Sequence, residues 1–210
     1  MIRVLIADDH PIVREGLKRI FEREGGVEVV GEARTGQEVI NKLRKVSSDL
    51  VLLDIRMPGK NFLDTLEDIR GEFPSVRVII VSMHTEREYI LRSIRAGAAG
   101  YLSKESVSEE LIAAVKRVHN GGRYISPAVS EKLMLYMEDG ADAPLHEKLS
   151  DREYQVMREI ARGRSTREIA AGLFISENTV ATYRSRVLDK MNLNSTADLI
   201  IYAVRNDLID

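Results

Sequence analysis

Two carboxylates stand side by side at Asp8 and Asp9, where the apolar run Val4-Leu5-Ile6-Ala7 stops; a third, Asp54, closes the run Leu50-Val51-Leu52-Leu53. If both runs are parallel strands, the three acids meet at one edge of a sheet, outside the carboxyl ends of the strands, where open α/β sheets take their ligands. Like charges this close repel and raise one another's pKa values, so the cluster needs a cation. A hard divalent ion, Mg2+ above all, fits a site made of carboxylates, a carbonyl and water. Two further runs end in groups able to grip a phosphoryl: Val78-Ile79-Ile80-Val81 ends at Ser82, and Ala99-Gly100-Tyr101-Leu102-Ser103 ends at Lys104. Any one of these aspartates alone reads as a turn residue or helix cap. Their conjunction at predicted strand ends points to function.

The elements that must position these groups are legible as an alternation. Five strands are predicted at about 2–7, 27–31, 49–53, 77–82 and 99–103, with amphipathic stretches between them, such as Ile12, Leu17, Ile20 and Phe21. Strands alternating with helical patterns signify βαβ units and a parallel sheet, here a five-stranded doubly wound α/β domain. Thr35-Gly-Gln-Glu38, Thr85-Glu-Arg-Glu88 and Ser106-Val-Ser-Glu109 each read as a capping box at a helix start. Gly121-Gly122 stops the fifth helix. Next comes a short helical pattern (Val129, Leu133, Met134, Met137) and the acidic stretch Glu138-Asp-Gly-Ala-Asp-Ala-Pro144, which buries little and reads as a linker. Thereafter no strand pattern recurs. Ser150-Asp-Arg-Glu153 and Ser165-Thr-Arg-Glu168 are capping boxes and Ser176 precedes a third helical run, so about four helices are expected. The division expected is 1–125 for the α/β domain, 126–148 for a linker with a short helix, and 149–210 for a small all-α domain.

Composition narrows the class. With 44% hydrophobic and 30% charged residues over 210 positions, the chain is an ordinary folded protein of two domains rather than a disordered one. The absence of cysteine excludes disulfides and thiolate metal sites. No leader pattern or membrane-length apolar stretch is visible, so a cytoplasmic protein without membrane attachment is expected. His10, His84, His119 and His146 show no metal-ligand spacing. The net charge of -2 does not announce nucleic acid, although charge can be unevenly placed.

With these residues in place, the chain resembles the receiver domain of two-component response regulators over about residues 2–122. The matching pieces are Ala-Asp8-Asp9-His-Pro, Leu-Leu-Asp54-Ile-Arg-Met-Pro-Gly, Val-Ser82-Met-His and Gly-Tyr101-Leu-Ser-Lys104. The resemblance implies a flavodoxin-like strand order 2-1-3-4-5, and a phosphoryl group passed to Asp54 from the phosphohistidine of a sensor histidine kinase. It implies that Asp9, Asp54 and the Arg56 carbonyl bind Mg2+, with Asp8 acting largely through water. Lys104 and the Ser82 hydroxyl would engage the phosphoryl oxygens, so catalysis is positioning plus electrostatics. It also implies that Ser82 and Tyr101 report phosphorylation, the tyrosine by turning inward. Two departures stand out: Phe62 occupies a position that is often glycine, and Lys104 is followed by Glu105 rather than proline.

In the C-terminal part, Phe174-Ile175-Ser176 makes a tight turn between the second and third helices, as a helix-turn-helix requires. Val180, Val187 and Met191 share one face of the third helix as core positions; Asn178, Ala181, Thr182, Ser185 and Asp189 form the opposite stripe, with Arg186 at its margin. A polar stripe is ordinarily a solvated face, yet Arg158, Arg162, Arg164 and Arg167 crowd the first two helices, and Arg184, Arg186 and Lys190 the third. Leu149-Ser-Asp-Arg-Glu153, Arg167-Glu-Ile-Ala170 and Phe174-Ile-Ser176-Glu-Asn-Thr-Val180 resemble the LuxR-type DNA-binding domain, and the whole chain resembles the NarL/FixJ class of transcriptional response regulators. That implies double-stranded DNA as partner, with Arg164, Arg167, Ser176, Asn178, Thr179 and Lys190 among the DNA-binding residues and phosphate contacts from the turn and helix N-termini. Arg186 could read guanine, with weaker or methyl contacts from Thr182 and Ser185. Ala181 and Tyr183 depart from the family's usual lysine and histidine, and Gly172 sits late in the second helix, where glycine costs about 1 kcal/mol against alanine.

The reading that follows is a phosphorylation-controlled regulator, not an enzyme acting on other molecules. It is a homodimer when phosphorylated, with Leu199, Ile200 and Ala203 as a candidate dimer surface, and the family implies a docked inactive form that hides the third helix. Two rivals use the same residues. One is a constitutive DNA-binding or adaptor protein with a vestigial acid site. The other is a metal-dependent phosphatase with an aspartyl-phosphate intermediate, against which stand the adjacent rather than alternate aspartates and the lack of a substrate cap.

Overall fold

The computed structural model describes residues 1–83, 87–138, 144–206 and 208–209, and the backbone alone of 135–138. They divide into two compact units, Met1–Gly140 and Ala141–Asp210.

In the first unit the described strands are β1 (Ile2–Ala7), β2 (Val27–Ala33), β3 (Leu50–Leu53), β4 (Arg77–Ser82), β5 (Gly100–Ser103) and β6 (Tyr124–Ile125). All pair in parallel, in the order β2-β1-β3-β4-β5-β6. Helices α1 (Pro11–Glu24), α2 (Gly36–Leu43), α3 (Phe62–Glu72), α4 (Arg87–Arg95), α5 (Val107–His119) and α6 (Pro127–Glu138) connect and follow them. The strands read as unbroken apolar runs because both faces of the sheet are covered. Leu5, Ala7, Val51, Leu53, Val78, Ile80 and Tyr101 face one layer, with Val39, Ile40, Leu66, Ile69, Ile90 and Val129 from the helices. Val4, Ile6, Leu50, Leu52, Ile79, Val81 and Leu102 face the other, against Leu17, Phe21, Leu111, Val115 and Val118. Each fully buried aliphatic or aromatic side chain contributes about 1.5–3 kcal/mol.

Three features differ from the expectation. The sheet has a sixth strand, too short to show a pattern, which follows the turn at Gly121 (φ +86°). Its approach depends on Gly100, where a methyl group would sit 3.0 Å from the Tyr124 carbonyl oxygen. Strand β2 runs on to Ala33 through Gly31 and Glu32, because Leu5, Ile6 and Ala7 of β1 continue to pair with it beyond a register shift. The segment 126–148, expected to be a linker with a short helix, holds that helix as α6 and is divided between the units. Val129 of α6 is fully buried in the first core with Leu133 packed against it, whereas the 3-10 turn Leu145–Lys148 lies in the second unit, where His146 Nδ1 sits 2.8 Å from the Tyr202 hydroxyl. The acidic residues 139–143 lie outside the described residues.

The predicted starts are of three kinds. Ser150 and Ser165 form complete capping boxes with Glu153 and Glu168. Thr35 accepts from the Glu38 N–H, but the Glu38 carboxylate takes the N–H of Arg34 rather than closing the box. Ser106 makes no side-chain cap at all, because α5 grows out of a tight turn in which the Ser106 N–H bonds to the Ser103 carbonyl. Thr85 lies outside the described residues.

The second unit holds α7 (Asp151–Ala161), α8 (Thr166–Leu173), α9 (Glu177–Met191) and α10 (Thr196–Arg205). Tyr154, Val156, Met157, Ile160, Ile169, Val180, Val187, Met191, Leu199 and Ala203 form its core. Because Leu199 and Ala203 are fully buried there, they cannot face a second copy as expected, and Ile200 is half-buried; Ile201 and Val204 are the large apolar residues exposed on α10. No helix among the described residues is long and apolar enough to cross a membrane.

Candidate functional site

Strand β1 pairs with β2 on one side and β3 on the other, so the chain reverses its winding beside β1 and opens a crevice at the strand ends. Asp8 and Asp9 leave β1 there. Asp54 leaves β3, tied across by its N–H to the Ala7 carbonyl at 2.8 Å. The Asp8 and Asp54 side chains are almost wholly buried, at 3% and 4% exposure, and that of Asp9 is partly so. Lys104 enters from the end of β5, its backbone N–H held by the Ser82 carbonyl. Its ammonium lies 2.6 Å from Asp8 Oδ2 and 3.2 Å from Asp54 Oδ2. Ser82, 1% exposed, ends β4 opposite Ser103. Asp8, Asp9, Asp54, Ser82 and Lys104 are thus brought together as the sequence suggests. Arg56 follows in the loop after β3 with its side chain in solvent, and Tyr101 is fully buried in the sheet core.

Burial pushes the Asp54 carboxyl above the usual carboxylate range; the Asp8 charge adds to this, against the pull of Lys104. Asp54 Oδ1 accepts the Ile55 N–H at 2.9 Å, which leaves Oδ2 as the oxygen turned to the crevice. Asp54 Oδ2 and Asp9 Oδ1 are buried and make no well-formed hydrogen bond, although the Lys104 ammonium stands 3.2 Å from the first and His10 Nδ1 2.7 Å from the second. Buried carboxylate oxygens so incompletely satisfied are costly unless a further cation meets them. The donor set therefore fits a hard divalent ion held by Asp9 and Asp54, with Asp8 beside it.

Two residues of the site carry little signal in the sequence. His10 shows no metal-ligand spacing, yet its Nδ1 lies 2.7 Å from Asp9 Oδ1 and 3.2 Å from Asp8 Oδ1, and it joins the three acids in one cluster of donor atoms within 4.8 Å of one another. Adjacency to the acid pair was the available signal. Arg14, 4% exposed, donates from Nη1 to the Asp8 carbonyl and from Nε to Glu32, both at 2.7 Å, so α1 and β2 clamp the acidic turn. Only its place on the buried side of an amphipathic helix hinted at this.

The second candidate surface lies on α8 and α9. Helix α8 ends at Phe174, which takes a left-handed conformation (φ 56°, ψ 43°), and Ser176 starts α9 by accepting the Thr179 N–H at 3.1 Å. Val180, Val187 and Met191 are buried, while Asn178, Thr182, Ser185 and Arg186 lie exposed on the opposite stripe. Arg167 is exposed on α8. Arg164 is exposed but paired at 2.6 Å with Glu159. Lys190 is exposed at the end of α9, and its ammonium lies 2.7 Å from the buried carboxylate of Glu153, so it ties α9 to the start of α7. Burial works to raise the Glu153 pKa, but Lys190 and the Ser150 N–H and hydroxyl outweigh it and hold the carboxyl below its ordinary value.

Comparison with known proteins finds a family for each of the two units. Residues 4–116 match the response regulator receiver domain, and residues 147–203 match the bacterial regulatory proteins of the luxR family. The chain is 35% identical over 212 residues to the response regulator GacA of Pseudomonas aeruginosa, covering all of this chain and 99% of that one. To the response regulator UvrY of Escherichia coli K12 it is 36% identical over 210 residues, covering 99% and 96%. Among solved structures, the RcsB response regulator of Salmonella typhimurium superimposes with a TM-score of 0.77 at 26% identity, covering 98% of each chain. A structure of two RcsB dimers bound to two parallel DNAs gives a TM-score of 0.61 at 27% identity, covering 97% of this chain and 98% of that one.

Proposed function

The chain belongs to the response regulators that join a receiver domain to a luxR-type domain, and on that premise we propose that Asp54 accepts a phosphoryl group from a sensor histidine kinase and that this controls DNA binding by α9. The observation that carries the reading is the convergence of Asp9, Asp54 and Lys104 from three strand ends, with Asp8 between the lysine and the histidine. In the transfer the P–N bond of the donor phosphohistidine breaks as a P–O bond forms to Asp54 Oδ2. Lys104 and the Ser82 hydroxyl hold the transferring oxygens, and buried Asp8 keeps the ammonium in place. Asp9, Asp54 and the Arg56 carbonyl would hold Mg2+, Asp8 through water; when bound, it supplies positive charge to the phosphoryl oxygens. The phosphoryl acceptor is the chain's own Asp54, so the reading is a regulator and not an enzyme acting on other acceptors.

In the second unit, α9 enters the major groove, Arg186 and Thr182 reach base edges, and Arg164, Arg167 and the N-terminus of α9 meet phosphates. One helix-turn-helix spans too few base pairs for a selective site, so the active form is a homodimer on paired half-sites; RcsB dimers bound to DNA support the dimer. The DNA partner places its work in the cytoplasm. The test is intact mass after incubation with acetyl phosphate and Mg2+. One adduct of about 80 Da is expected, lost with chelator and in Asp54→Asn. An undiminished adduct in Asp54→Asn overturns the assignment.

A further inference from the structure

Resting on the reading that the acid edge binds a divalent cation, we propose that His10 is itself a ligand there, so that the site also takes a borderline divalent ion of the Mn2+ to Zn2+ series through mixed nitrogen and oxygen donors, in competition with Mg2+. The residue stands at the N-cap of α1 in extended conformation (φ -83°, ψ 114°), yet makes no side-chain cap bond. Serine, threonine, aspartate or asparagine serve a cap better, so capping does not account for a histidine. Packing does not account for it either, since 62% of the side chain is exposed. Its ring is nonetheless aimed. The His10 N–H donates to Asp8 Oδ1 at 2.8 Å, which turns Nδ1 onto the acids at 2.7 and 3.2 Å.

What faces the ring is an unfinished donor set. Asp54 is 3% exposed and its Oδ2, apart from the Lys104 ammonium 3.2 Å away, makes no well-formed hydrogen bond; Asp9 Oδ1 is buried with His10 Nδ1 itself 2.7 Å away. Donors about 2.1 Å from one ion stand roughly 3–4 Å from one another. The nitrogen and the carboxylate oxygens, all within 4.8 Å, need only small side-chain rotations to meet that spacing. Mg2+ takes oxygen and keeps its waters, so an imidazole adds little to its binding. Ions from Mn2+ to Zn2+ accept imidazole readily, with affinity rising along the series to Cu2+. His10 therefore discriminates between the two classes of ion where the carboxylates alone discriminate less.

The test uses the full-length, untagged protein with one equivalent of Cu2+, read by electron spin-echo envelope modulation. The remote nitrogen of a single coordinated imidazole is expected in the wild type and in His119→Ala, and is expected to vanish in His10→Ala and His10→Gln. Calorimetric titration with Co2+ should show about a tenfold loss of affinity in both His10 variants. Modulation that persists in both, or is absent from the wild type, overturns the proposal. Mg2+ titration of the wild type separates this from the parent reading: Mg2+ binding without nitrogen modulation removes His10 alone, and nitrogen-ligated Cu2+ without Mg2+ binding removes the Mg2+ reading alone.

Discussion

At the acidic edge, Asp8, Asp54 and Ser82 are almost wholly buried, and each is fixed by the strand it terminates. On α9, Asn178, Thr182, Ser185 and Arg186 stand in solvent, held by the helix itself. The first surface stores its function in mutual constraint. Every charge there already has a neighbour whose removal leaves it stranded in low dielectric. The second stores it in a list of side chains, each of which can be exchanged without the fold responding. Substitutions at the edge should therefore couple chemistry to stability, and those on the exposed stripe should separate them.

The largest effect is expected from Lys104→Met. It removes a preorganised donor from the transferring oxygens, so phosphorylation by acetyl phosphate should slow by about 10²–10³-fold, and it leaves Asp8 and Asp54 buried with no ammonium between them. Thermal unfolding followed with and without Mg2+ should show a greater stabilisation by the ion in the variant than in the wild type. An equal response would mean that the acids are not electrostatically coupled through Lys104.

Glu153 extends the comparison to the second unit, where it is a buried acid. Its folded pKa lies below its unfolded one, so its contribution is complete above the unfolded value, near 4.3, and is lost as pH falls through the folded value. Glu153→Gln should cost about 1.5–3 kcal/mol at pH 7, as expected for hydrogen bonds to a charged group. It should also flatten the acid limb of stability in that unit. Denaturant unfolding from pH 7 to pH 3 measures both, and parallel wild-type and variant curves would refute the coupling.

On the exposed stripe the separation should be clean. Arg186→Ala is expected to cost about 1–3 kcal/mol on a matched duplex and little on a scrambled one. Arg167→Ala should weaken both and lower the salt slope by about one. Neither should move the melting temperature. Equal losses on both duplexes for Arg186→Ala would turn it into another phosphate contact.

The smallest effect concerns Gly172, late in α8, where an added methyl meets no atom within 4 Å and the φ angle is not positive. Gly172→Ala should stabilise the second unit by about 0.5–1 kcal/mol without touching phosphorylation. A loss of stability in calorimetry would point to a role for that glycine beyond the helix.

How much of this was legible follows the same division. The acids, Ser82 and Lys104 were readable because strand ends in a doubly wound sheet fix where a residue arrives, whatever its neighbours. The boxes at Ser150 and Ser165 were readable because capping is local over four residues. What escaped was set by contacts distant in sequence. Lys190 meets Glu153 across 37 positions, Arg14 meets Glu32 across 18, and β6 exists only because β5 is already there to pair with two residues. The exposed stripe of α9 carries no such mark, since a solvated side chain has no packing signature.

The short β6 has a consequence for how the chain is handled in pieces. Its N–H groups occupy the carbonyls of Ala99 and Tyr101 through Tyr124 and Ser126, and Val129 closes the core behind them. A receiver fragment cut at residue 120, where the fifth helix ends, leaves those carbonyls and the apolar flank of β5 as an open strand edge, a template for pairing with another molecule. Cut after residue 138 instead, the same domain carries its own edge protection and should remain dispersed at concentrations where the shorter fragment associates.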